Sequence, residues 1–180
     1  MVDAAKATRL AYVATGDRIV DETSRAGLTG LTQALAVRTA LEPGDPVALD
    51  PARDELALFP LVYWPIVAGR PTPAPDTLRK LDAFMKGGGM VIFDTRDALT
   101  ARAGGPPTPE AQALRQMLTT LDVPELEPVP RDHVLTKTFY LLDSFPGRHS
   151  HGQLWLETLP PVTEDGRRPA RAGDSVSPLM

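Results

Sequence analysis

Cysteine is absent from the 180 residues. That excludes disulfides, thiolate zinc sites, iron–sulfur clusters and a cysteine nucleophile. It leaves the compartment open, because a chain without cysteine suits reducing and oxidising surroundings alike. Positive charge is not in excess: 19 Lys+Arg against 23 Asp+Glu give a formal net charge of −4. Nucleic-acid binders ordinarily carry a basic face, and attachment to anionic lipid needs clustered basic residues. Neither is expected here. Long apolar runs are also lacking. A membrane helix needs ~20 apolar residues, whereas the longest stretch, LFPLVYWPIVA from Leu58 to Ala68, is interrupted by Pro60 and Pro65. The N-terminal segment has no apolar core of signal-peptide length. The chain is therefore expected to be soluble and not to insert into a membrane by itself.

Cofactor and nucleophile motifs are missing as well. No G-x-G-x-x-G or Walker sequence opens a helix, and there is no G-x-S-x-G elbow around any serine. No cofactor is expected. Gly87-Gly88-Gly89 precedes a strand-like run and reads as a helix-to-strand connector, not a phosphate cradle.

What remains is ordinary globular composition, with 42% hydrophobic and 23% charged residues. The 19 prolines cluster between periodic segments, where they punctuate without breaking a helix or a ladder. Arg9 to Thr15 reads as a strand that is apolar on both faces. Asp21 to Leu41 reads as a helix with Leu28, Leu31, Leu35 and Leu41 on one stripe. Gly27 and Gly30 weaken it by about 1 kcal/mol each relative to alanine. Residues 45–55 read as a loop. Leu58 to Ile66 reads as a second strand whose prolines confine pairing to Leu61–Trp64. Pro75 to Lys86 is a helix burying Leu78, Leu81, Phe84 and Met85. Met90 to Asp94 is expected to be the most clearly buried strand. Thr108-Pro109-Glu110 starts another helix with an N-cap, a first-turn proline and a first-turn acid. After Pro124 the pattern loosens, with strand-like runs at 134–142 and 153–156. The organisation expected is a disordered N-terminus over 1–8, an α/β domain over 9–159 and a flexible polar tail over 160–180. Alternation of strand and helix predicts a mostly parallel sheet with right-handed crossovers in a three-layer sandwich.

In open α/β sheets ligands bind beyond the carboxyl ends of the strands. Those ends carry Thr15-Gly16-Asp17, Tyr63-Trp64 and Asp94-Thr95-Arg96-Asp97. If the strands are neighbours these groups form one rim, the candidate ligand-binding site. Each residue also has a structural reading. Asp17 can cap the next helix. Asp94 can bond its own loop, and Arg96 with Asp97 can form a surface ion pair of little energetic worth. Tyr63 and Trp64 face opposite ways along a strand, and both can serve packing. His149 and His151 have the i, i+2 spacing of a zinc pair on a strand, but GRHSHGQ reads as an exposed loop, so no metal ligand is assigned.

Several segments together resemble an uncharacterised bacterial domain family: RLAYVATGD, VDETSRAGLTGLTQAL, RTALEP, FPLVYWPI, LRKLDAFMKGGGMVIFDTRD and DHVLTKTFYLL. Such domains form the C-terminal part of larger proteins that resemble aerotolerance regulators and carry transmembrane helices upstream. The resemblance covers about residues 9–160 and implies a flavodoxin-like fold of the class I glutamine amidotransferase type. It places the superfamily's nucleophile elbow at Asp94-Thr95-Arg96, where no cysteine stands, so amidotransferase chemistry is not expected. His133 is followed by Val134 where related domains have proline, which weakens any role carried over to it. The family continues past a segment like SVSPLM, so residues 160–180 are expected to be a truncated remainder. The sheet is then expected to keep an open edge that favours self-association.

The function expected is a non-catalytic module of a membrane-associated bacterial system, binding a protein partner or small molecule at the strand-end rim. The alternative is a metal-assisted or acid-based hydrolase using Asp17, Asp94 or Asp97, with Arg96 as an anion clamp.

Overall fold

The apolar run after Arg9 forms a short central strand. In the computed structural model, the described residues are 7–101, 105–121, 123, 126–129, 133, 137, 141 and 154–158. They contain β1 (Ala11–Val13), α1 (Arg18–Arg38), β2 (Val47–Leu49), a 3-10 turn (Leu56–Leu58), β3 (Leu61–Pro65), α2 (Pro75–Lys86), β4 (Met90–Asp94), α3 (Pro109–Leu118), β5 (Leu126–Pro128) and β6 (Trp155–Glu157). The chain divides into a unit over Met1–Asp122 and a second over Val123–Met180. The first holds a four-stranded sheet in the order β2-β1-β3-β4, every pair parallel. In the second, β5 and β6 pair antiparallel.

The topology follows from handedness. The step from β1 to β2 moves toward one edge and the step from β3 to β4 toward the other. Right-handed crossovers then place α1 and α2 on opposite faces. The packing agrees. Leu28 of α1 lies against Leu10 and Tyr12, with Leu35, Leu61 and Tyr63 around them. The alternate strand residues Ala11 and Val62 are fully buried, and they are register partners. Leu78 and Leu81 of α2 are buried too, each worth roughly 1.5–3 kcal/mol of transfer free energy. The first unit is thus an α/β fold with a parallel sheet and helices consistent with three layers.

Several elements differ from the sequence expectation. The segment 45–55 contains β2, which pairs with β1 through Ala11↔Val47 and Val13↔Leu49. Helix α1 begins at Arg18 because Asp17 caps it, and it ends at Arg38 with Thr39 as C-cap. Its buried residues are Val20, Ser24, Leu28 and Thr32, a strict i, i+4 row. Leu31 and Leu41 are exposed. Ser24 tolerates burial because its hydroxyl donates to the Val20 carbonyl at 2.7 Å. Strand β3 starts at Leu61 because Leu56–Leu58 winds into the 3-10 turn. Strand β4 pairs with β3 alone among the described strands. Met90 is 55% and Ile92 42% exposed, so this strand is not the buried one its apolar sequence implied. Pro75–Lys86 matches its expected bounds, and α3 is capped by Thr108 with Pro109 in its first turn.

Residues 134–136, 138–140 and 142 of one expected strand, the histidines His149 and His151, and the tail 160–180 lie outside the described residues. Among the described residues, no helix is long and apolar enough to cross a membrane.

Candidate functional site

Three strands present their carboxyl ends side by side, β1, β3 and β4 being neighbours. The β1 end turns sharply: Gly16 adopts φ 73°, a left-handed conformation that suits glycine. The turn is organised by an acid one helical turn further on. The Asp21 carboxylate accepts from the Thr15 N–H at 2.8 Å, the Thr15 hydroxyl at 2.7 Å and the Gly16 N–H at 2.9 Å. Asp17 is the N-cap, its Oδ1 accepting from the N–H groups of Ile19 (2.9 Å) and Val20 (3.2 Å). Four of the N–H donors that this kind of turn offers to a phosphate elsewhere, those of Thr15, Gly16, Ile19 and Val20, are therefore filled by the chain's own carboxylates. Burial alone would raise the Asp21 carboxyl, but the Thr15 and Gly16 hydrogen bonds, with the field of Arg70, hold it below the ordinary carboxylate value.

Strand β3 supplies Tyr63 and Trp64 on opposite faces. Tyr63 reaches over the sheet to Asp94, donating its hydroxyl to Oδ2 at 2.6 Å. Burial, this bond and the Asp94 charge push the phenol well above its ordinary value, and Arg96 opposes the rise. Trp64 turns into the interior, 8% exposed, with its ring 5.9 Å from that of Phe93. It is a packing residue. Beyond β3 the Ile66 N–H binds the Asp94 carbonyl at 2.8 Å, and Gly69 (φ 77°) turns the chain. Arg70 then lies against the first turn, its Nη2 3.0 Å from where a Gly16 side chain would begin.

At the β4 end Asp94 also accepts the Arg96 N–H on Oδ1 at 2.7 Å. Arg96 stands at φ 56°, left-handed without being glycine, a conformation that costs of order 1 kcal/mol or more. Asp97 accepts the Thr95 hydroxyl at 2.6 Å and also that of Thr108, the α3 N-cap. The Thr108 bond and then the Thr95 bond hold its carboxyl below the ordinary value. The expected Arg96–Asp97 ion pair does not form, because those hydroxyls take the carboxylate.

The geometry thus joins Tyr63, Asp94 and Arg96 in one chain of contacts, and Thr15, Gly16, Asp21 and Arg70 in another. Thr95 and Asp97 tie the rim to α3. Asp21 and Arg70 were missed by sequence reasoning, and Thr108 was read only as a helix N-cap. Of the two missed, only Asp21 had a local signal, an acid in the first turn of a capped helix. Among the described residues, no three His, Asp or Glu side chains converge as a metal site would require.

A second concavity, an open depression of about 720 Å³, lies at the opposite end of the sheet. It is lined by residues such as Thr8, Phe59, Pro60, Phe84 and Gly87. No titratable side chain lines it, so it offers room without chemistry.

A family model described as "Domain of unknown function (DUF4159)" matches residues 9–180. No curated protein matches the chain.

Proposed function

The chain belongs to the DUF4159 family, and from that premise we propose that it is a non-catalytic module binding a ligand or partner at the carboxyl ends of β1, β3 and β4. One observation carries the reading: the four rim carboxylates are taken by structural hydrogen bonds. Asp17 caps α1, Asp21 holds the first turn, Asp94 bridges Tyr63 and Arg96, and Asp97 bridges Thr95 and Thr108. A general base needs a lone pair facing substrate, and Asp21, Asp94 and Asp97 each commit both oxygens to the chain's own donors, while Asp17 commits Oδ1 to its cap.

The fold type favoured is flavodoxin-like. Its support is the order β2-β1-β3-β4, which puts the switch point between β1 and β3, where ligands of such sheets sit. The resemblance to class I glutamine amidotransferases places an elbow at Asp94-Thr95-Arg96. The left-handed Arg96 fits such a strained turn, with a guanidinium where a nucleophile would stand. A membrane-associated bacterial setting rests on the resemblance to aerotolerance-regulator-like parents.

The test is thermal unfolding against nucleotides, sugars, sugar phosphates, dicarboxylates and divalent metals. A ligand at 100 times its dissociation constant adds about 2.7 kcal/mol. A shift in the wild type that Gly16→Ala diminishes is expected. Turnover of any bound compound that Asp17→Ala or Asp94→Ala abolishes would instead establish the hydrolase reading.

A further inference from the structure

Two cations at the rim stand apart from the ion pairs found among the described residues. Those pairs join Arg18 to Glu22, Arg53 to Asp50, Arg79 to Asp76 and Lys86 to Asp82. Arg70 and Arg96 are exposed and belong to none. Both are nevertheless placed by the backbone. Arg70 follows the left-handed Gly69 and rests on the bare Cα of Gly16. Arg96 is itself left-handed and is pinned there by the Asp94 carboxylate. A long side chain held in that conformation is strained, and strain of this kind gathers at ligand clamps.

The neighbouring acids do not satisfy these guanidiniums. Asp21 acts on Arg70 through space while its oxygens accept from Thr15 and Gly16. Asp94 spends its oxygens on the Tyr63 hydroxyl and the Arg96 N–H. Each arginine therefore keeps a planar fork of N–H donors, the geometry that grips carboxylate and phosphate in a bidentate way. Strand order sets their separation. The β1 and β4 ends are two strand spacings apart, about 10 Å, with the Arg70 loop between them, so both side chains can close on one group. The N–H groups of Thr15, Gly16, Asp17, Ile19 and Val20 in the β1–α1 turn are already filled, so an incoming anion has the guanidiniums as its main partners.

We infer that the ligand of the rim carries an oxyanion, a carboxylate or a phosphate, clamped between Arg70 and Arg96; this rests on the rim reading proposed above. Acids outnumber bases around the site, with Asp17, Asp21, Glu22, Asp94 and Asp97 against Arg18, Arg70 and Arg96. Recognition is therefore short-ranged, through the forks, and not steered by the field of the surface.

The experiment is titration of the full chain with inorganic phosphate and, separately, succinate, at matched ionic strength. It is followed by thermal unfolding and calorimetry in wild type, Arg70→Gln, Arg96→Gln and Arg96→Lys. Saturable binding of one probe is expected, weakened roughly tenfold or more in each glutamine variant. Arg96→Lys should recover only part, because lysine lacks the fork. Whether phosphate or succinate binds identifies the source of the oxyanion. The unliganded melting temperatures, expected to stay near wild type for these exposed positions, separate lost binding from lost folding. The absence of saturable binding by either probe, or binding in both glutamine variants as tight as in wild type, overturns the inference. A neutral sugar that binds wild type and both glutamine variants but not Gly16→Ala overturns the oxyanion and leaves the rim standing. A ligand whose binding no rim substitution alters overturns both.

Discussion

Replacing Asp21 with asparagine keeps the shape and removes the charge, which isolates what this carboxylate does. The amide oxygen can still accept from Thr15, but the amide nitrogen then faces the Gly16 N–H, donor against donor. Losing the Gly16 bond costs about 1 kcal/mol, the low end for an unpaired donor because the turn is open to water. Weakening the two Thr15 bonds from charge-assisted to neutral adds roughly 0.5 kcal/mol. Loss of an anion from the first turn of α1 adds about 0.5 kcal/mol more. The sum is about 2 kcal/mol, or roughly 4–8 °C in melting temperature for a chain of this size. Urea denaturation followed by tryptophan fluorescence reads it, with Trp64 buried as reporter. The pH dependence supplies a second check. The folded-state pKa of Asp21 is depressed, so its contribution is present above the unfolded value near 3.9. It is lost as pH falls through the folded value. The gap between wild type and Asp21→Asn should be full at neutral pH and shrink below pH ~4. A loss under about 0.5 kcal/mol, or a gap that does not change with pH, would refute the reasoning.

Gly16→Ala forces a side chain into φ 73° and brings its Cβ within 3.0 Å of the Arg70 guanidinium. A cost of about 1–2 kcal/mol in urea denaturation is expected, together with displacement of Arg70. Tyr63→Phe leaves Asp94 short of one donor and should cost about 1 kcal/mol at neutral pH. Because the Tyr63 phenol is raised, its linked stability is present below the ordinary tyrosine value near 10 and lost as pH rises through the folded value. Ultraviolet titration should therefore show a late tyrosine ionisation, and Tyr63→Phe should remove that late step.

Local signals carried the fold and the three rim segments. Thr108-Pro109-Glu110, Pro75-Asp76 and the apolar runs LVYW and MVIFD each announce themselves within a few residues, and the elements appear there. What failed depends on partners distant in sequence. Val47–Leu49 is a strand because β1 lies beside it, and three residues after Pro46 give no periodicity to read. Met90–Asp94 has the composition of a central strand, but only topology decides which strand is outermost. The acids Asp17, Asp94 and Asp97 were visible as rim candidates, and so were the structural roles of Asp17 and Asp94, whereas Asp97 meets the Thr95 and Thr108 hydroxyls in place of Arg96. Arg70 was not, since nothing in GRPTPAP says that its guanidinium rests on Gly16 fifty-four residues earlier. Asp21 was hidden for a related reason: a first-turn acid looks like helix-dipole compensation until the Thr15 and Gly16 donors are seen to meet it.

The most direct test of the account is a backbone amide chemical-shift titration with inorganic phosphate and, separately, succinate. It predicts that one of the two gives saturable shifts gathered at Gly16, Arg70, Thr95 and Arg96, with binding weakened in Arg96→Gln. Saturable shifts gathered instead at Thr8, Phe59 and Phe84, at the opposite end of the sheet, would contradict it.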